Sequence, residues 1–99
     1  MVIKPKTWML IIKAVSEENG FDVSPGEKSF TIEKDKFHSV AFKIDLSPSK
    51  FVEVSQWEAI NEQGDEGDYG RAVYSIRNTT DLIYFCTILM NSEFIRARR

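Results

Sequence analysis

Two helical stripes stand near the two ends of this chain with alternating segments between them, and that arrangement leaves few folds open. In residues 7–19, Trp8, Ile11, Ile12 and Val15 recur at the spacing that lines one face of a helix, and Gly20 supplies a left-handed stop. Phe21, just beyond it, is the apolar residue that folds back on the last turn. Near the other end, Asn78 is a good N-cap, Asp81 sits in the first turn, and Leu82, Phe85, Cys86 and Leu89 repeat the same spacing. Ile83, Met90 and Phe94 widen that second stripe, which predicts either deep burial or a homodimer contact through the C-terminal helix.

Between the helices the period changes to two. Lys28 to Glu33 alternates through Phe30 and Ile32, Asp35-Lys36 turns the chain, and Phe37 to Asp45 places His38, Val40, Phe42 and Ile44 on one face. Ser24-Pro25-Gly26-Glu27 reads as a turn before them. A short extended piece, Phe51 to Val54, precedes Ser55-Gln56-Trp57-Glu58, a capping-box pattern that predicts a short helix over about 56–63, ended by Gly64. Arg71 to Ile76 alternates again, with Ala72, Tyr74 and Ile76 on one face. The expected order is α-β-β-β-α-β-α: a small α+β fold whose antiparallel or mixed sheet of about four strands is packed by the two longer helices.

Length and composition set the scale. With 99 residues, 42% of them hydrophobic and 28% charged, the chain has apolar surface for one core and too little for two, so a single domain over 1–99 is expected. One cysteine, Cys86, excludes an internal disulfide and any cysteine-rich zinc module. The apolar run Trp8 to Ile12 is shorter than an export signal needs and no stretch is long enough for a membrane span. A cytoplasmic protein with no membrane partner is the expectation.

Charge is segregated along the chain. Residues 1–44 carry a net +1, residues 45–70 a net −6 and residues 71–99 a net +3. The acidic excess peaks in NEQGDEGDYG, residues 61–70, where three glycines accompany Glu62, Asp65, Glu66 and Asp68. A calcium loop started at Glu62 places Gly67 correctly, yet its third position is Gly64 and its twelfth Val73, so the ligands fail. No metal or cofactor is expected. His38 is the only histidine, Cys86 lies on an apolar helical stripe, and no phosphate loop, nucleophile elbow or zinc-binding helix motif occurs.

These features point away from an enzyme and toward a protein–protein interaction domain of the inhibitor or adaptor kind. That is also the profile of small host-protein inhibitors carried by phages and mobile elements. Its expected contact residues are Trp57 as an aromatic anchor, then Glu62, Asp65, Glu66, Asp68 and Tyr69, facing a partner with a basic surface. The alternative is nucleic-acid binding through Arg71, Arg77, Arg96, Arg98 and Arg99, since phosphate contacts need clustered cations.

Overall fold

A computed structural model describes residues 4–91, the side chain of Phe37 excepted. In chain order they form α1 (Pro5–Glu18), β1 (Asp22–Pro25), β2 (Ser29–Asp35), a 3-10 turn (Lys36–His38), β3 (Val40–Leu46), β4 (Val52–Ala59), β5 (Gly67–Ile76) and α2 (Thr79–Met90). The five strands make one antiparallel sheet in the order β1-β2-β3-β4-β5, so each strand pairs with its neighbours in sequence. Both helices cover one face of it, as a small α+β fold requires.

Local chemistry explains the helix ends. Pro5 opens α1, where a missing N–H costs nothing. At its other end Gly20 adopts φ +82°, which lets the Phe21 amide donate to the Ser16 carbonyl at 3.0 Å and the Gly20 amide to that of Glu17 at 3.3 Å. That pair of bonds is a Schellman stop, and it seats Phe21 in the core. The Asn78 side chain accepts from the Asp81 amide at 2.9 Å, while the Asp81 carboxylate accepts from the Arg77 amide at 3.1 Å, so two bonds tie Asp81 back to the residues that precede α2.

The core lies between the helices and the alternating positions of β2 to β5. Ile12, Ile32, Ile44, Val54, Ile76 and Phe85 are fully buried there, and Phe42 meets Phe85 edge to face at 5.4 Å. The Trp8 indole N–H is buried in this layer without a hydrogen-bond partner among the described residues.

Four expectations are corrected. Residues 56–63 form no helix: Trp57 pairs with Tyr69, Glu58 with Asp68 and Ala59 with Gly67, so 56–59 finish β4 and the rest is a loop. Cross-strand pairing and the burial of Trp57 outweigh the local cap that Ser55 and Glu58 offer. His38 is not on the face of β3, because residues 36–38 close a 3-10 turn and Ser39 takes φ +61° before the strand starts. Asp22–Pro25 is a strand paired with β2, which moves the turn past Pro25 and raises the strand count to five. Finally, β5 starts at Gly67, and two register shifts against β4 place Ala72 opposite Ser55, so it is exposed while Ile76 is buried.

Candidate functional site at the tip of the last hairpin

The acidic segment is the connection between β4 and β5, and its shape is set from within. Asn61 organises it: the side-chain oxygen accepts from the amides of Gly64 (2.9 Å) and Glu66 (3.2 Å), and the side-chain nitrogen donates to an Asp65 carboxylate oxygen at 2.6 Å. The Ile60 amide donates to the Glu66 carbonyl at 2.8 Å, which closes the base, and Gly64 bends the chain at φ +80°. The tip is an ordered turn of the hairpin rather than a tether.

Trp57 holds this turn from below. Its indole Nε1 donates to the Gly64 carbonyl at 2.9 Å, and the side chain is only 7% exposed. The Tyr69 ring stands edge to face against it at 5.2 Å, and the Lys36 ammonium lies over it at 4.2 Å from the ring centre. Lys36 also reaches Glu33 at 3.4 Å. The group lies apart from the main core, so the sheet carries a small aromatic cluster of its own at this end.

Tyr69 extends that cluster across the sheet. Burial pushes its phenol above the ordinary value of 10.0, the Glu33 charge adds to the rise, a hydrogen bond with Thr31 opposes it, and Asp68 adds a little more. Of the expected contact residues, Trp57 is therefore a support under the tip and Tyr69 is half-buried beside it. Glu62, Asp65, Glu66 and Asp68 are exposed, as is Glu58 at the end of β4. Among the described residues none of these five carboxylates is in an ion pair. Ile60, at the start of the tip, is 81% exposed.

The arginines are not brought together as a cluster. Arg71 is exposed in the middle of β5, whereas the Arg77 guanidinium stacks on Phe51 at 3.8 Å from the ring centre. Arg96, Arg98 and Arg99 lie outside the described residues, as does Phe94. Ile83 and Met90, which widen the stripe of α2, are exposed.

The remaining groups with chemical potential sit elsewhere. His38 Nδ1 meets an Asp35 carboxylate oxygen at 2.5 Å, and His38 lines a cavity of about 130 Å³ with Gln56 and Tyr74. Gln56 is committed there, donating to the Ser39 carbonyl at 2.9 Å. Burial raises the Tyr74 phenol, with Tyr84 beside it adding to the rise, and burial also raises the Cys86 thiol, which leaves it a poor nucleophile. Among the described residues no three histidine, cysteine or acidic side chains converge as metal ligands, and no helix is long and apolar enough to cross a membrane.

Sequence reasoning finds the acids and misses Asn61, Gly64 and Lys36. The signal for the first two is their residue type, since asparagine and glycine are both strong turn formers. Lys36 joins the site only through the pairing of β2, β3 and β4. Comparison with protein-family models, with curated proteins and with solved structures returns no match to this chain.

Proposed function

We propose that the chain is a non-catalytic protein-interaction domain of the inhibitor or adaptor kind, and that the tip between β4 and β5 is its contact element for a basic protein surface. One observation carries this reading: exposed carboxylates without ion pairs among the described residues are presented on a turn that Asn61 and Trp57 already hold in shape. A pre-shaped loop loses less conformational freedom on binding than a flexible one, and a dense negative field speeds the encounter with a cationic surface. Ile60, exposed beside the acids, offers the apolar contact that charges alone lack. The reading includes a cytoplasmic setting, where a lone buried thiol stays reduced.

The test is affinity capture from a lysate of the native host, with and without nuclease, followed by replacement of Asp65, Glu66 and Asp68 by Asn and Ser. A stoichiometric protein that survives nuclease, and that binds the variant more slowly and more weakly, supports the reading. Unchanged binding by the variant removes the tip from it.

A further inference from the structure

The acidic tip has a counterpart on the same molecule that it cannot reach. An open groove with about 1260 Å³ of free space runs between α1 and the β1–β2 hairpin, and Met9, Val23, Phe30 and Leu46 supply apolar surface to it. Lys6, Lys13, Lys28 and Lys50 place four ammonium groups along it, against Glu17, Asp22 and Glu27. Among the described residues none of those lysines is in an ion pair. The space exceeds the roughly 300–1,000 Å³ that usually encloses a small molecule, and its openness suits a segment of protein.

Topology sets the groove and the tip apart. In an antiparallel meander successive connections alternate between the two ends of the sheet, so the β1–β2 and β3–β4 connections share one end and the β4–β5 tip is at the other. The groove also follows β1, one edge of the sheet, whereas the tip leads into β5, the opposite edge. The molecule, 44 Å in its longest dimension, therefore carries the acidic tip at one end of the sheet and the loops that line the groove, 25–29 and 46–50, at the other. A chain cannot seat its own tip in its own groove, but a second copy can.

We propose that copies of this chain associate head to tail, the tip of one (residues 60–66) seated in the groove between α1 and β1 of the next. Ile60 meets the apolar floor, and the Glu62 and Glu66 carboxylates meet the lysines on the rim. The inference rests on the reading of the tip as a contact element and names a second copy as its partner. Because donor and acceptor surfaces differ, a head-to-tail contact leaves a free tip at one end and a free groove at the other, and it builds rings or open chains according to the rotation between successive copies.

The experiment is sedimentation velocity on the full chain across a range of concentration and salt, with two charge-reversed variants. Glu62→Lys with Glu66→Lys alters the tip without touching the Asn61 bonds, because Glu66 takes part in them only through its backbone. Lys13→Glu with Lys28→Glu alters the groove at exposed positions. The wild type should form oligomers, whether one closed ring or a series of open chains, that dissociate as salt rises, each variant alone should associate at least about ten-fold more weakly, and an equimolar mixture of the two should associate again, since each reversed surface then faces a complementary one. A wild type that stays monomeric throughout, or association that survives in both variants, overturns the proposal. If that monomer still captures a host protein through Glu62 and Glu66, the interaction function stands and only the self-contact falls.

Discussion

The Trp57 indole nitrogen donates to the Gly64 carbonyl oxygen at 2.9 Å, so a residue of β4 grips the far side of the loop that follows it. Trp57→Phe keeps a ring against Tyr69 and removes the donor, leaving a buried acceptor unpaired at a cost of about 1–3 kcal/mol. Urea unfolding measures that loss. Amide exchange should quicken at Gly64 and Glu66, whose N–H groups bind the Asn61 side chain, before it changes in the helices.

Gly67 and Gly70 should answer differently to alanine. A Cβ on Gly67 runs into the Glu58 carbonyl oxygen, a backbone atom fixed by the β4–β5 ladder, whereas one on Gly70 first meets the Glu58 carboxylate, which can swing away. Gly67→Ala should therefore cost about 1–3 kcal/mol, as overpacking does. Gly70→Ala should stay within about 0.5 kcal/mol, the range of ordinary surface changes. Equal shifts in the two urea midpoints would contradict this assignment of Glu58.

The start of α2 can be weighed by one substitution. Asn78→Ala removes the acceptor for the Asp81 amide and should destabilise the protein by about 1 kcal/mol. For a domain of this size that lowers the melting temperature by about 4–8 °C, and Asn78→Asp should recover most of it. Thermal unfolding followed by circular dichroism reads both.

Alkali should unfold the protein earlier than neutral conditions suggest. Tyr69, Tyr74 and Cys86 all hold their protons more tightly in the folded state, chiefly through burial, than at their ordinary values of 10.0 for the phenols and 9.0 for the thiol. The unfolded chain ionises first as pH rises, so the stability tied to these groups is complete below pH 9.0 and drains away as pH climbs toward their folded values. Urea midpoints from pH 7 to 11 should fall over the upper part of that range, and Tyr69→Phe should flatten the fall.

Local chemistry decides what the sequence makes legible. The cap at Asn78 and the stripe of Leu82, Phe85, Cys86 and Leu89 involve only near neighbours, so α2 can be read directly. Gly20 and Phe21 announce the end of α1 for the same reason. Ser55 and Glu58 carry the chemistry of a cap too, but a cap acts only if the chain turns after it, and here Trp57 and Glu58 find Tyr69 and Asp68 on the next strand. The two register shifts in β5 likewise have no local marker beyond Gly70. At the site, the acids are visible in composition. The turn beneath them and the groove across the molecule are not, because Lys36, Trp57 and Gly64, or Met9, Val23 and Leu46, meet only after the sheet has formed.

A sheet in which every strand pairs with the one before it has a kinetic consequence. Each hairpin can close without waiting for distant chain to arrive, since its two strands are separated only by a short connection. The long closures are left to the helices, where α1 and α2 bring the two ends of the described chain onto one face. Phe85 meets Phe42 only when α2 is docked, and the sheet face that carries Ile44, Val54 and Ile76 is fully covered only when both helices are in place. The order in which the ends arrive sets how long that apolar face stays open to other molecules.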